Sequence, residues 1–173
     1  MHLTLKFFGD ITNYKVEQIN QIVARELRNT DKFNLSLKSV GAFPSIKKPK
    51  VLWIKTDKNR AFTNIQRVCD NGFQKIGFSK EKNYNPHLTF GRVKDSKHNE
   101  QILNKLNELN NIIIGEMLVD EIVLKSSELT RSGPIYTNLR TFKLGTIKHR
   151  RTIISDENTK SDNVPLGIEK HGF

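Results

Sequence analysis

A single cysteine, Cys69, serves the whole chain of 173 residues. That scarcity excludes an internal disulfide and any cysteine-built metal cluster. The thiol sits in "NIQRVCDNGF", at a spacing that suits the inner stripe of a helix, and reads as a structural position. Long apolar runs are absent too: nothing approaches the roughly 20 residues that cross a bilayer. Lys6 and Asp10 interrupt the first apolar stretch, which excludes a signal peptide there. The expectation is a cytoplasmic protein with no membrane partner, working as a monomer. Apolar residues make up only 36%, thin for a globular chain yet well above a disordered one, and ten Phe residues supply core mass. Acidic residues are also scarce, 18 against 29 Lys and Arg, which leaves a net charge of +11 and a pI near 9.8. Such an excess draws a protein towards polyanions, whether nucleic acid, an acidic membrane surface or phosphorylated substrates. A merely solubilising lysine-rich surface has the same composition, so charge alone does not choose.

The length suits one domain, or two small lobes around a shared core. "HLTLKFFGDI" alternates, with Leu3, Leu5 and Phe7 on one face and His2, Thr4 and Lys6 on the other, the period of a half-buried strand. A helix follows from a Thr12 cap, its stripe formed by Val16, Ile19, Ile22, Val23 and Leu27. "KFNLSLKSVGAF" alternates again, with Phe33, Leu35, Leu37 and Val40 facing inward. The basic turn "PSIKKPK" leads into the strand "VLWIKT". Phe62, Ile65, Val68, Cys69 and Phe73 predict a second helix over about residues 59–77. The second half repeats the plan: "HLTFGRV" as strand, "SKHNEQILNKLNELNN" as helix, "GEMLVDEIVLKSSE" as one strand and "IYTNLRTFKL" as a returning strand. The expected fold is α+β: a bilobed pair of duplicated β-α-β-β units with mainly antiparallel sheets and a central groove. The two His-Leu-Thr strands should then face each other across that groove. Residues 1–145 form the expected domain. Residues 146–173 are polar and nearly balanced, five Lys/Arg against four Asp/Glu, and read as a flexible tail. The basic excess, 24 against 14, belongs to residues 1–145.

The repeated tripeptide carries the chemistry. Histidine and threonine two positions apart point the same way on a strand, so each copy offers a proton carrier and a hydroxyl donor to one space. A phosphodiester is displaced in line, with one group taking a proton from the attacking oxygen and another protonating the leaving oxygen opposite. Imidazole, with a free pKa of about 6.5, suits both tasks near neutral pH. His2 and His87 are therefore the candidate acid and base, with Thr4 and Thr89 donating to non-bridging phosphate oxygens. A lone His-x-Thr arises by chance in roughly one chain in three of this composition; two copies, each opening an alternating strand, do not. Arg92 lies five residues after His87, on the wrong face of an ideal strand, but Gly91 permits a bulge that would re-aim it at the phosphate. Lys47, Lys48 and Lys50 form a positive patch suited equally to RNA backbone or to solvent. Phe43 and Tyr84 are candidate stacking surfaces for a base, while Trp53 in its apolar strand reads as core. His98, His149 and His171 read as solvated surface residues.

These motifs give the chain its resemblance. It resembles the two-histidine (2H) phosphoesterase superfamily, and within it the RNA 2',3'-cyclic phosphodiesterases, also called 2'-5' RNA ligases. The paired His-x-Thr motifs carry the broader likeness; "HLTLKFFGDI", "VGAFPSIKKPKVLWI", "PHLTFGRVK" and "SSELTRSGPIYTNL" carry the narrower one, across residues 2 to about 145. The resemblance implies a bilobed fold with the site in its groove, and no required metal or nucleotide cofactor. It implies hydrolysis of terminal 2',3'-cyclic phosphates to 2'-phosphomonoesters, with reversible 2'-5' ligation of RNA ends such as tRNA halves. It makes His2 the proton donor to the departing 3' oxygen and His87 the acceptor from the attacking water, with Thr4, Thr89 and Arg92 on the phosphate.

Members of that family carry about forty residues ahead of the first motif, comparable to one β-α unit. Here His2 follows Met1. The resemblance therefore implies a shortened first lobe with an open sheet edge beside a catalytic strand near a fraying end. Two alternatives stay open. One is a non-catalytic RNA-end binder that keeps the groove and charge; the other is a 2H enzyme for a small cyclic phosphate, against which "GAFPS" and "SGPIY" argue.

Overall fold

A computed structural model describes residues 2–82, 84–131, 133–145 and, for the backbone alone, 166–172. Among the described residues, three helices and eight strands form an α+β arrangement. Strand β1 (Leu3–Phe7) leads to helix α1 (Asn13–Glu26). The Thr12 hydroxyl accepts from the Lys15 amide and closes the first turn as predicted. Strands β2 (Phe33–Ser45) and β3 (Lys48–Thr56) form a hairpin. Helix α2 (Arg60–Lys75) then starts at Asn59, whose side chain caps the Phe62 amide. Strand β4 (His87–Arg92) precedes helix α3 (Asn99–Glu108). Strands β5 (Ile113–Val119), β6 (Glu121–Thr130) and β7 (Gly133–Lys143) follow. The stretch read as one strand is thus two. The chain changes sides at Asp120: β5 pairs with β2, whereas β6 pairs with β7.

The strands join in one sheet, ordered β5-β2-β3-β4-β1-β8-β6-β7, whose pairings are antiparallel except at β8. Strand β8 (Leu166–Gly172) runs parallel to both β1 and β6. Two expectations change here. The edge of β1 is not open, because Leu3, Thr4 and Phe7 pair along β8. Nor is the segment read as tail wholly without structure, since residues 166–172 lie between two strands. Composition hid this strand because a central strand can be stabilised by backbone pairing on both edges as well as by large apolar side chains. Residues 146–165, including His149, lie outside the described residues.

The core lies on the helical face of the sheet. Leu3, Leu5 and Leu88 from the two motif strands meet Ile19 and Val23 of α1 and Phe62, Ile65, Cys69 and Phe73 of α2. Each fully buried Leu, Ile or Phe contributes about 1.5–3 kcal/mol relative to exposure, so these intervening leucines clamp the strands that carry the polar residues. Alternation in β1 fails after Leu5: Lys6 and Phe8 are buried, and Phe7 is exposed. The pairing with β8 is irregular between Thr4 and Phe7, and this reverses the faces.

Candidate active site

Strands β1 and β4 are neighbours in the sheet rather than partners across a gap. They pair antiparallel with Leu3 opposite Leu88, and this register sets His2 beside Thr89 and Thr4 beside His87. The leucines point to the helices, so all four polar side chains point to the other face. A cavity of about 510 Å³ on that face is lined by His2, Thr4, His87 and Thr89, with Phe7, Arg92, Pro134 and Tyr136. The local two-fold relation is legible in the sequence; the side-by-side placement is not, because nothing in either tripeptide names its pairing partner.

Arg92 reaches this cavity through the bulge that Gly91 suggests. In the β3–β4 ladder Leu52 pairs with Gly91 and Trp53 with Thr89, so Phe90 is the extra residue. That insertion returns Arg92 to the face of His87 and Thr89. Sequence reasoning misses Phe7 and Tyr136 as lining residues. Simple alternation assigns Phe7 to the core. Tyr136 lies in the motif "SGPIY" with no signal of its role, and its ring meets the His2 ring edge-on at 5.0 Å.

His87 is held from behind. Its Nδ1 lies 2.9 Å from the Asn85 carbonyl oxygen. A carbonyl only accepts, so Nδ1 carries the proton there and Nε2 of the neutral ring is left as an acceptor. Phe43 packs edge-on against the same imidazole at 5.0 Å and Trp53 approaches it at 6.4 Å. Trp53 is therefore part of the wall around His87, half-buried rather than a core residue.

A second cavity of about 500 Å³ adjoins the first and shares Thr4, Phe7 and His87 with it. Leu5, Lys6, Phe43, Glu81, Tyr84 and Asn85 complete its walls. The Tyr84 hydroxyl donates to the Thr4 carbonyl at 2.8 Å and its ring stacks on Phe62 at 6.0 Å. Burial, with the Glu81 charge adding, keeps this hydroxyl protonated well above the usual tyrosine range. Lys48 and Lys50 belong elsewhere, to a cavity of about 400 Å³ near Lys94 and the start of α3; Lys47 is exposed. His98 stands at the N-cap of α3, with Nδ1 3.1 Å from Gln101 Oε1. Among the described residues no group of three or more His, Cys, Asp or Glu is placed to hold a metal ion, and no helix is long and apolar enough to cross a membrane.

Residues 1–130 match the profile of the 2'-5' RNA ligase superfamily. A curated RNA 2',3'-cyclic phosphodiesterase of Methanothermobacter thermautotrophicus is 40% identical over 144 residues, covering 83% of this chain and 78% of that protein. Its counterpart in Archaeoglobus fulgidus is 33% identical over 143 residues, covering 83% and 79%. Among solved structures, a protein of Thermus thermophilus superposes with a TM-score of 0.69 at 24% identity, covering 85% of this chain and 79% of that one. E. coli LigT complexed with ATP gives 0.56 at 20% identity, covering 82% and 74%. These structural likenesses speak to the fold.

Proposed function

The chain belongs to the 2'-5' RNA ligase superfamily, and from that premise we propose that it is an RNA 2',3'-cyclic phosphodiesterase, working in the cytoplasm as a monomer on RNA ends such as tRNA halves. The observation that carries the reading is the antiparallel register of Leu3 with Leu88, which gives both His-x-Thr pairs one shared cavity. His87, with Nδ1–H committed to Asn85, takes a proton on Nε2 from the attacking water. The water oxygen bonds to phosphorus as the bond from phosphorus to the 3' oxygen breaks. His2, on the other strand, delivers a proton to that departing oxygen. The product is a 2'-phosphomonoester, and proton exchange with solvent resets both rings. Thr4 and Thr89 donate to the non-bridging oxygens while the Arg92 guanidinium spreads across the charge that builds on them. A 5'-hydroxyl in place of the water gives 2'-5' ligation by the same bond changes, and the reverse step follows from microscopic reversibility.

The test uses the purified full chain and an oligonucleotide ending in a 2',3'-cyclic phosphate, in buffer containing EDTA. The expected result is ring opening to the 2'-phosphate, abolished by His87→Ala. Undiminished turnover by His2→Ala/His87→Ala would refute the two-histidine mechanism. Tight, salt-sensitive binding without any product would point instead to the RNA-end-binding alternative.

A further inference from the structure

We propose that the second cavity reads the base of the nucleotide held at the two histidines, and that Glu81 makes it select guanine. The identity of the ligand rests on the phosphodiesterase reading. A phosphate lying among His2, Thr4, His87 and Thr89 has its nucleoside next to the space that shares Thr4, Phe7 and His87. Phe7, 41% exposed, and Phe43 give that space apolar walls on which a planar base can stack.

Its polar groups are unbalanced towards acceptors. Lys6 is 5% exposed; its ammonium donates to Asp70 Oδ1 at 2.8 Å and to the Ser79 carbonyl, and it forms an ion pair with Glu81 Oε1 at 3.3 Å. Asp70 uses its second oxygen on the Glu81 amide at 3.0 Å. Lys6 is therefore turned towards these acceptors, and one cation faces two carboxylates. The surplus negative charge lies at Glu81, whose side chain is 40% exposed and lines the cavity, while Asp70 is buried behind. Tyr84 spends its proton on Thr4.

A carboxylate only accepts. Guanine presents adjacent N1–H and N2–H donors that fit its two oxygens in a charge-assisted pair. Adenine and cytosine each present one amino group. Uracil presents a single N–H flanked by two carbonyls, which a carboxylate repels. A site with a fixed acceptor discriminates between ligands by whether their donors meet it.

The experiment titrates the full chain calorimetrically with the 2'-monophosphates of guanosine, inosine, adenosine, cytidine and uridine, and measures kcat/KM on the matching cyclic phosphates. Guanosine should bind at least about tenfold more tightly than uridine. Inosine, which lacks the N2 amino group, should fall between them without any change to the protein. Glu81→Gln keeps an oxygen for Lys6 but removes the charge, and should bring the guanosine-to-uridine ratio within about threefold. Equal affinity for all five nucleotides, no measurable binding at millimolar ligand, or an unchanged ratio in Glu81→Gln would each overturn the inference. A chain that ranks the nucleotides as expected yet opens neither these cyclic phosphates nor the cyclic end of an oligonucleotide would instead refute hydrolysis. One that hydrolyses all five alike would keep hydrolysis and lose base selection.

Discussion

Two single side chains make sharp tests, one lining the groove and one in the core. Arg92 is aimed into the cavity by one bulged residue, Phe90. Arg92→Lys keeps the charge and loses the planar pair of donors; kcat should fall by about ten- to a hundredfold, with a smaller change in KM. Cys69 tests the opposite case, a group the chemistry leaves unused. Burial, reinforced by Glu26 and Asp70, pushes its thiol up to about 12. The unfolded chain gives up this proton near pH 9 while the folded chain holds it. Stability should therefore be unaffected by Cys69 below pH 9 and fall as pH rises from about 9 to 12. Denaturant melts across that range should show a shallower alkaline loss in Cys69→Ala, and alkylation of the native thiol should be slow at neutral pH.

Elements fix where those side chains stand. Strand β2 crosses β3 with Gly41 opposite Trp53, and a Cβ at Gly41 would lie 2.3 Å from the Trp53 ring. The glycine leaves room for the indole, which is tilted against Phe43 and edge-on to His87. Gly41→Ala should displace the ring, cost about 1–3 kcal/mol in a melt and lower turnover by disturbing the wall around His87. Strand β8 plays the matching part for β1. Seven residues pair along β6 and hold the other edge of the strand that carries His2 and Thr4. Deleting residues 166–172 should lower the melting temperature and reduce activity more than it reduces affinity for RNA, because a loosened β1 loses alignment before the groove loses its charge. Unchanged melting and turnover in the deletion would show that β1 is held well enough by β4 alone.

Over the whole molecule, the net charge of +11 is the widest-ranging property. Affinity for a cyclic-ended oligonucleotide should fall steeply with salt, and that for a mononucleotide much less, since fewer phosphates are neutralised. Lys48, Lys50 and Lys94, gathered around their own cavity, are the cations to remove first. Replacing all three with Ala should lower the slope of log affinity against log salt by about two to three if RNA backbone crosses that cavity, and leave it unchanged if these lysines are only solvated.

The sequence by itself determined the strand period around each His-Leu-Thr, the helix capped at Thr12 and the one beginning near residue 59, and the pairing of a proton carrier with a hydroxyl on one face. These are local properties, fixed by side-chain alternation and by caps within a few residues. The Gly91 bulge was legible for the same reason. Tertiary structure alone decided that β1 lies beside β4, that the chain crosses the sheet at Asp120, and that Leu166–Gly172 becomes a central strand. It also decided that Lys6, read as groove-facing, turns into an ion pair with Asp70 sixty-four residues away. Strand pairing is backbone hydrogen bonding, which is nearly blind to residue type, so the partner of a strand is settled by which edges remain free once the core has closed.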